Sequence, residues 1–317
     1  MGIFLSIVGG LFLLVVGGEL LVRGAVSIAR LLAVSPLLIG LVLVGFGTST
    51  PELVTSLMAA FGGSPGIAVG NVVGSNICNI LLILGLATLI RGVPVAREGF
   101  GRDSLVLGLA SLAMTGVVLS GHAGRFVGLA FLLGLVIYVF MVYRQEKKTP
   151  HAGSEETSGS IADPASPGKY LRAFGLCLVG LALTFGGAHV LVDGSIGLAR
   201  SLGVSDTIIG LTIVAVGTSM PEMVASVMAA IRGQSGIAYG NIIGSNIYNI
   251  LGIIGLTAFI HPIDVPPQIA SFDVWVMLGT ALLMIVFSFS HRLISRAEGV
   301  GMLALYMAYT AWLIHIA

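Results

Sequence analysis

Two polar islands stand inside an otherwise apolar chain, and both hold oxygen donors at fixed spacing. The first runs Gly45-Phe-Gly-Thr-Ser-Thr-Pro-Glu52 and resumes as Gly70-Asn-Val-Val-Gly-Ser-Asn-Ile-Cys-Asn79. The second runs Ala215-Val-Gly-Thr-Ser-Met-Pro-Glu222 and resumes as Gly240-Asn-Ile-Ile-Gly-Ser-Asn-Ile-Tyr-Asn249. The differences 222 − 52, 241 − 71 and 249 − 79 are all 170, so the duplication keeps lengths as well as residues. Carboxylate, hydroxyl, amide and peptide oxygens together suit hard cations such as Ca²⁺ or Na⁺. No histidine accompanies them to favour zinc or copper. The two cysteines, Cys78 and Cys177, lie in apolar runs without metal or redox spacing and read as small buried residues.

The spacing of these groups dictates the elements that must carry them. Pro51 has no N–H, so the carbonyl of Gly47 loses its helical partner, and Pro221 repeats this for Gly217. Each proline predicts a helix broken into two halves, with Gly47 and Thr48, or Gly217 and Thr218, in the gap and carbonyls bared near mid-bilayer. Bare carbonyls are tolerable there only if they line a polar cavity or bind something. Ser49 and Glu52, like Ser219 and Glu222, are three apart and share one helical face. Positions 71, 75 and 79 advance by four, as do 241, 245 and 249, giving an Asn-Ser-Asn stripe on each of two further helices. Small residues beside the stripe, Gly70 and Gly74 or Gly240 and Gly244, allow another helix to approach closely.

The remaining chain is membrane material. Of 317 residues, 56% are hydrophobic and 9% charged, and a mean hydropathy of +1.05 excludes an ordinary soluble domain. A net charge of +1 gives no reason to expect nucleic acid. Ten runs have the length and character of spans: 3–22, 35–60, 66–90, 103–121, 123–143, 172–192, 205–230, 236–260, 271–290 and 297–316. The apolar start, with no base before Arg23, reads as the first span and not as a signal peptide. The expected architecture is all-α and polytopic: a first five-helix repeat over 1–143, a polar linker over 144–171, and a second repeat over 172–317, with helices two and seven broken. An odd number of spans per repeat inverts the second copy, a design found in secondary transporters. The match extends to Gly24–Arg30 with Gly194–Arg200, and to Ser35–Gly40 with Ser205–Gly210.

Ten spans place thirteen of the fifteen Lys and Arg on one side, leaving Arg125 and Arg200 on the other. The positive-inside rule then puts the linker in the cytoplasm and both termini outside. It also leaves Glu52 and Glu222 with no internal base. A mid-span carboxylate is costly and by default functional, so protons or bound cations must neutralise these two. Two glutamates match the charge of one Ca²⁺. Glu19 and Asp193 lie near span ends, where a charge is affordable, and His189, His261, His291 and His315 read as interfacial.

The paired motifs resemble the two alpha-repeats of the cation/calcium antiporter superfamily, particularly prokaryotic sodium/calcium exchangers, over nearly the whole chain. The resemblance implies inverted five-helix repeats around four ion sites between spans two, three, seven and eight. It makes Glu52 and Glu222 the principal ligands of Ca²⁺ and Na⁺, adds the carbonyls of Thr48 and Thr218, and gives Ser49, Ser75, Ser219 and Ser245 to flanking Na⁺ sites. Asn79 and Asn249 take the central position. Several relatives, including potassium-dependent exchangers, have Asp where this chain has Asn249, which removes a third carboxylate and puts potassium coupling in doubt. With two negative charges, the site is neutral with one Ca²⁺ and carries one positive charge with three Na⁺.

The function these features imply is Na⁺/Ca²⁺ antiport across a prokaryotic inner membrane, without a cofactor and with the two ions as substrates and the lipid bilayer as partner. A Ca²⁺/H⁺ antiporter is the alternative, and a cation channel lined by the same oxygens is a third reading. No His-Glu-x-x-His motif or Ser-His or paired-Asp arrangement suggests an enzyme. The sequence carries no sign of an oligomeric state.

Overall fold

The computed structural model describes residues 2–63, 65–95, 100–146, 167–202, 215–290 and 293–316. Nine helices among these are long and apolar enough to cross a membrane: α1 (Gly2–Leu32), α2 (Pro36–Phe61), α3 (Gly66–Ile90), α4 (Gly101–Ser120), α5 (Arg125–Gln145), α6 (Pro167–Leu198), α8 (Ser235–Ile260), α9 (Ile269–Phe289) and α10 (Arg296–His315). The described part of α7 comprises Ala215–Thr218 and the apolar Met220–Ile231. The Ser205–Gly210 match, most of the linker and His291 lie outside the described residues.

Helices α1 and α6 outrun their expected limits, which corrects both the span ends and the linker's. Helix α1 continues through Arg23 and Arg30 to Leu32, and α6 starts at Pro167, inside the stretch expected as linker. Thirty-one residues at 1.5 Å each make a rod of roughly 46 Å, against a hydrocarbon core of about 30 Å. The surplus turns carry Arg and Lys, good helix formers whose stems lie along apolar surface while the charged heads reach water. The two rods run antiparallel, with Gly10 against Leu191, Gly17 against Thr184 and Gly24 against Cys177. A Cβ at Gly17 would sit 2.7 Å from the Thr184 main-chain nitrogen, so glycine sets how closely the rods approach.

Two short antiparallel ladders, unforeseen in an all-α expectation, pin loops that share a face. Val93–Pro94 pairs with Leu293–Ile294, and His122–Ala123 with Ile263–Asp264. On the first face Arg296 donates to the carbonyl of Ile90 at 3.0 Å, and the Arg91 guanidinium lies beside Gly233. On the second, Val265 N–H donates to Gly121 at 2.9 Å and the rings of Phe61 and His261 meet edge to face at 6.1 Å. These groupings are those that the ten-span count requires. The first is the basic, linker face.

The main core fills the space among α3, α4, α5, α8, α9 and α10 with Ile, Leu and Val, for example Ile77, Ile80, Ile250 and Ile254. Helix α8 is the most enclosed of the spans, and its Gly240 and Gly244 lie on the main chain of Leu37 and Leu41 in the first half of α2. The repeat mates of Leu37 and Leu41, at 207 and 211, lie outside the described residues. Among the described residues nothing would come within 4 Å of a Cβ at Gly74, and only Ile269 Cδ1, at 3.8 Å, would meet one at Gly70.

Two glycine substitutions are expected to diverge. Gly244→Ala would place a Cβ 2.8 Å from Leu41 Cα and cost about 2 kcal/mol or more. Gly301→Ala, on the exposed face of α10, should be neutral or slightly stabilising, since alanine favours helix. Thermal melting of the two variants in detergent checks the difference.

Candidate cation-binding site

The two prolines break their helices more locally than expected. Beyond the π-wound Ile39–Gly45, Thr48 remains helical and the break lies at Ser49, at φ −81° and ψ 9°, with Ser219 repeating it at φ −89° and ψ 9°. Backbone bonds bridge the kink, from Ser49 N–H to Gly45 and from Leu53 N–H to Ser49, each 3.2 Å. A single residue in the sparsely allowed bridge region thus absorbs the missing proline donor. The gap expected at Gly47 and Thr48 is in fact a kink at the serine.

The kinks of the two repeats face each other and exchange hydrogen bonds. Ser49 Oγ donates to Glu222 Oε1 at 2.8 Å, and Ser219 Oγ donates to Glu52 Oε1 at 3.5 Å. Each serine therefore serves the other repeat's carboxylate. Ser219 also lies 3.4 Å from Ser75 Oγ, and Ser245 Oγ donates to the carbonyl of Gly45 at 3.2 Å. Nine of the ten residues expected at the site, Thr48, Ser49, Glu52, Ser75, Asn79, Ser219, Glu222, Ser245 and Asn249, are at most 5% exposed. Thr218 is half-buried and lines cavities instead.

The stripe on each neighbouring helix divides its work. Asn71 Nδ2 donates to the carbonyl of Glu52 at 3.2 Å and to Ser56 Oγ at 3.1 Å. Asn241 does the same for the carbonyl of Glu222 at 3.1 Å and Ser226 at 2.7 Å, and its Oδ1 lies 3.3 Å from Thr48 Oγ1. These asparagines brace the half-helix that bears the glutamate. A second pair, Asn76 and Asn246, joins the repeats. Asn249 Nδ2 donates to Asn76 Oδ1 at 3.1 Å, and Asn76 Nδ2 to the carbonyl of Asn246 at 3.3 Å. Sequence reasoning missed this pair because it follows the serine and lies off the stripe. The signal was present, since 246 − 76 is also 170.

What remains after these bonds is a surplus of acceptors. Glu52 Oε2, Glu222 Oε2, Asn79 Oδ1, Asn249 Oδ1 and Asn246 Oδ1 are buried without a hydrogen-bond partner. No Lys or Arg forms an ion pair with either glutamate among the described residues. Buried acceptors without donors cost roughly 1–3 kcal/mol each, and more when charged. A cation coordinated by oxygens removes that cost. Among the described residues no cluster of three His, Cys, Asp or Glu exists, so amides, hydroxyls and carbonyls must supplement the two carboxylates.

Two cavities reach residues of the site. A cavity of about 510 Å³ between α3, α9 and α10 reaches Asn71, Ser75 and Thr218. A second, of about 440 Å³, lies beside α6 and also touches Thr55 and Thr218. On the linker side the main chain of Leu37 and Leu41 covers Gly240 and Gly244.

The family model for sodium/calcium exchanger protein matches residues 2–144 and 172–315. The chain is 32% identical over 350 residues to the sodium/calcium exchanger MaX1 of Methanosarcina acetivorans, covering 99% of each. It is 33% identical over 305 residues to the inner membrane protein YrbG of Escherichia coli, covering 96% of this chain and 93% of that one. Among solved structures it is similar to the sodium-calcium exchanger NCX_Mj soaked with Na⁺ and Sr²⁺, with a TM-score of 0.84 at 31% identity over 98% of both chains.

Because Asn241 is fully buried and Asn71 half-buried, the two braces should differ in cost. Asn241→Ala is expected to lower stability by about 1–3 kcal/mol by stranding the Glu222 carbonyl and Ser226, and Asn71→Ala by less. Melting curves of the two variants give the comparison.

Proposed function

The chain belongs to the sodium/calcium exchanger protein family, and from that premise we propose that it is a secondary antiporter that extrudes Ca²⁺ in exchange for entering Na⁺. It is a transporter and not an enzyme, and its ions are substrates. The observation that carries the reading is the group of five buried acceptor oxygens with no donor. Two protons, one on each carboxylate, would make two donors and serve at most two of the three amide oxygens, whereas one cation gathers acceptors from all of them. The chemistry of the group therefore favours metal ions over protons alone.

In this proposal Glu52 and Glu222 ligate either ion. Ser49, Ser75, Ser219 and Ser245, with the carbonyls of Thr48 and Thr218, complete flanking Na⁺ sites, and Asn79 and Asn249 occupy the centre. Asn76 holds the central amide of Asn249 in place. Two carboxylates match one Ca²⁺ in charge, and three Na⁺ leave one positive charge, so exchange at that ratio moves charge across the membrane. The cavities beside Thr218 and the cover of Leu37 and Leu41 on the other side fit one of two alternating arrangements. The whole chain acts as one membrane unit, its two five-helix repeats joined by the 144–171 segment. The excess of bases on that side supports a cytoplasmic linker, external termini and an inner-membrane location.

Ca²⁺ uptake into Na⁺-loaded proteoliposomes is expected to require an outward Na⁺ gradient, with uptake abolished in Glu52→Gln and in Glu222→Gln. Uptake driven equally by a pH gradient without Na⁺ would replace this reading with Ca²⁺/H⁺ antiport. Coupled flux retained in both variants would overturn the site.

A further inference from the structure

The inverted repeats match closely enough that a mismatch between mates is informative, and the largest electrostatic mismatch concerns Asp103 and Asp273, again 170 apart (273 − 103). Both stand near the start of a span, on opposite faces, and both accept a tyrosine hydroxyl from the next helix. Tyr138 donates to Asp103 Oδ1 at 3.0 Å, and Tyr309 to Asp273 Oδ1 at 2.9 Å. Asp103 is fully buried and neutralised by Arg102 at 2.7 Å, whose guanidinium lies 5.8 Å from the centre of the Tyr138 ring. At the position equivalent to Arg102 the second repeat has Phe272, stacked on Tyr309 at 6.4 Å. The stacking partner is kept and the charge is gone. Asp273 makes no ion pair among the described residues.

The carboxylate left uncompensated lies in the wall of the cavity that leads to the candidate site. Asp273 ends the π-wound first turns of α9, Ile269–Asp273, and lines the space of about 510 Å³ together with Thr55, Asn71, Ser75, Thr218 and Thr310. Asp103, by contrast, is fully buried against Arg102 and Tyr138. A fixed negative charge between low-dielectric walls raises the local concentration of cations. With one oxygen held by Tyr309, it suits an ion that retains part of its water.

We propose that Asp273 is a recruiting site for partly hydrated Ca²⁺ or Na⁺ in the access cavity, acting on the face opposite the linker and not on the linker face. The proposal rests on the reading of the centre as a cation site. A tie between α9 and α10 alone would need the Tyr309 hydrogen bond but not an uncompensated charge.

The test is the Michaelis constant for Ca²⁺ on each face, measured in oriented proteoliposomes at low and high ionic strength. Asp273→Asn should raise KM on the face opposite the linker roughly threefold to tenfold at low ionic strength, with kcat unchanged, and the effect should fade as salt screens the charge. KM on the linker face should not move. Asp273→Glu should restore the wild-type value, and Tyr309→Phe, which keeps the charge, should leave KM unchanged. Equal effects on both faces, a loss of kcat alone, or the same phenotype in Tyr309→Phe would overturn the proposal in favour of a helix tie. Absence of Na⁺-coupled flux in the wild-type protein would fail the antiport reading itself. Wild-type flux with an unchanged KM in Asp273→Asn would fail this inference only.

Discussion

Two carboxylates buried in a membrane without a basic partner are the constraint on which the rest of this structure depends. Desolvating a carboxylate costs several kcal/mol even after relaxation, and Glu52 and Glu222 are 1% and 2% exposed. Each receives one serine hydroxyl from the opposite repeat, which occupies one oxygen and leaves the other bare. The protein thus holds a charge it does not itself neutralise, and an ion from solution must complete it.

Keeping that pair in place accounts for much of the surrounding sequence. The prolines at 51 and 221 free a carbonyl and kink the helix at the preceding serine, which turns its hydroxyl across the repeat axis. Asn71 and Asn241 then hold the half-helix that follows, by bonding the main chain of the glutamate itself. The near-contact of α2 with α8 covers Gly240 and Gly244, and a cavity of about 510 Å³ on the face opposite the linker reaches Ser75 and Thr218.

The motifs, the duplication and the pairing of the 93–94 and 293–294 loops, and of the 122–123 and 263–264 loops, on shared faces were legible in sequence, because they follow from spacing and parity. The buried polar residues gathered around Glu52 and Glu222 were legible as types, since few polar side chains survive in spans without a purpose. Other features were hidden for identifiable reasons. The kink sits at Ser49 because neighbouring backbone bonds absorb the proline defect, which sequence alone does not resolve. Asn76 and Asn246 bond across the repeats, a contact between helices that no periodicity within one helix reveals. Helices α1 and α6 run past the hydrocarbon because their polar ends remain good helix formers. The replacement of Arg102 by Phe272 was visible as letters, but gains meaning only when the cavity beside Asp273 is seen.

The central claim, that one set of buried oxygens serves both ions in turn, is tested most directly by equilibrium binding of radioactive Ca²⁺ to the purified protein while Na⁺ is titrated. A shared site predicts one Ca²⁺ per chain, displaced completely and cooperatively by Na⁺, because two carboxylates can neutralise one divalent ion or begin to accommodate several monovalent ones but not both. Ca²⁺ that stays bound at saturating Na⁺ would place the two ions at separate sites and contradict the account.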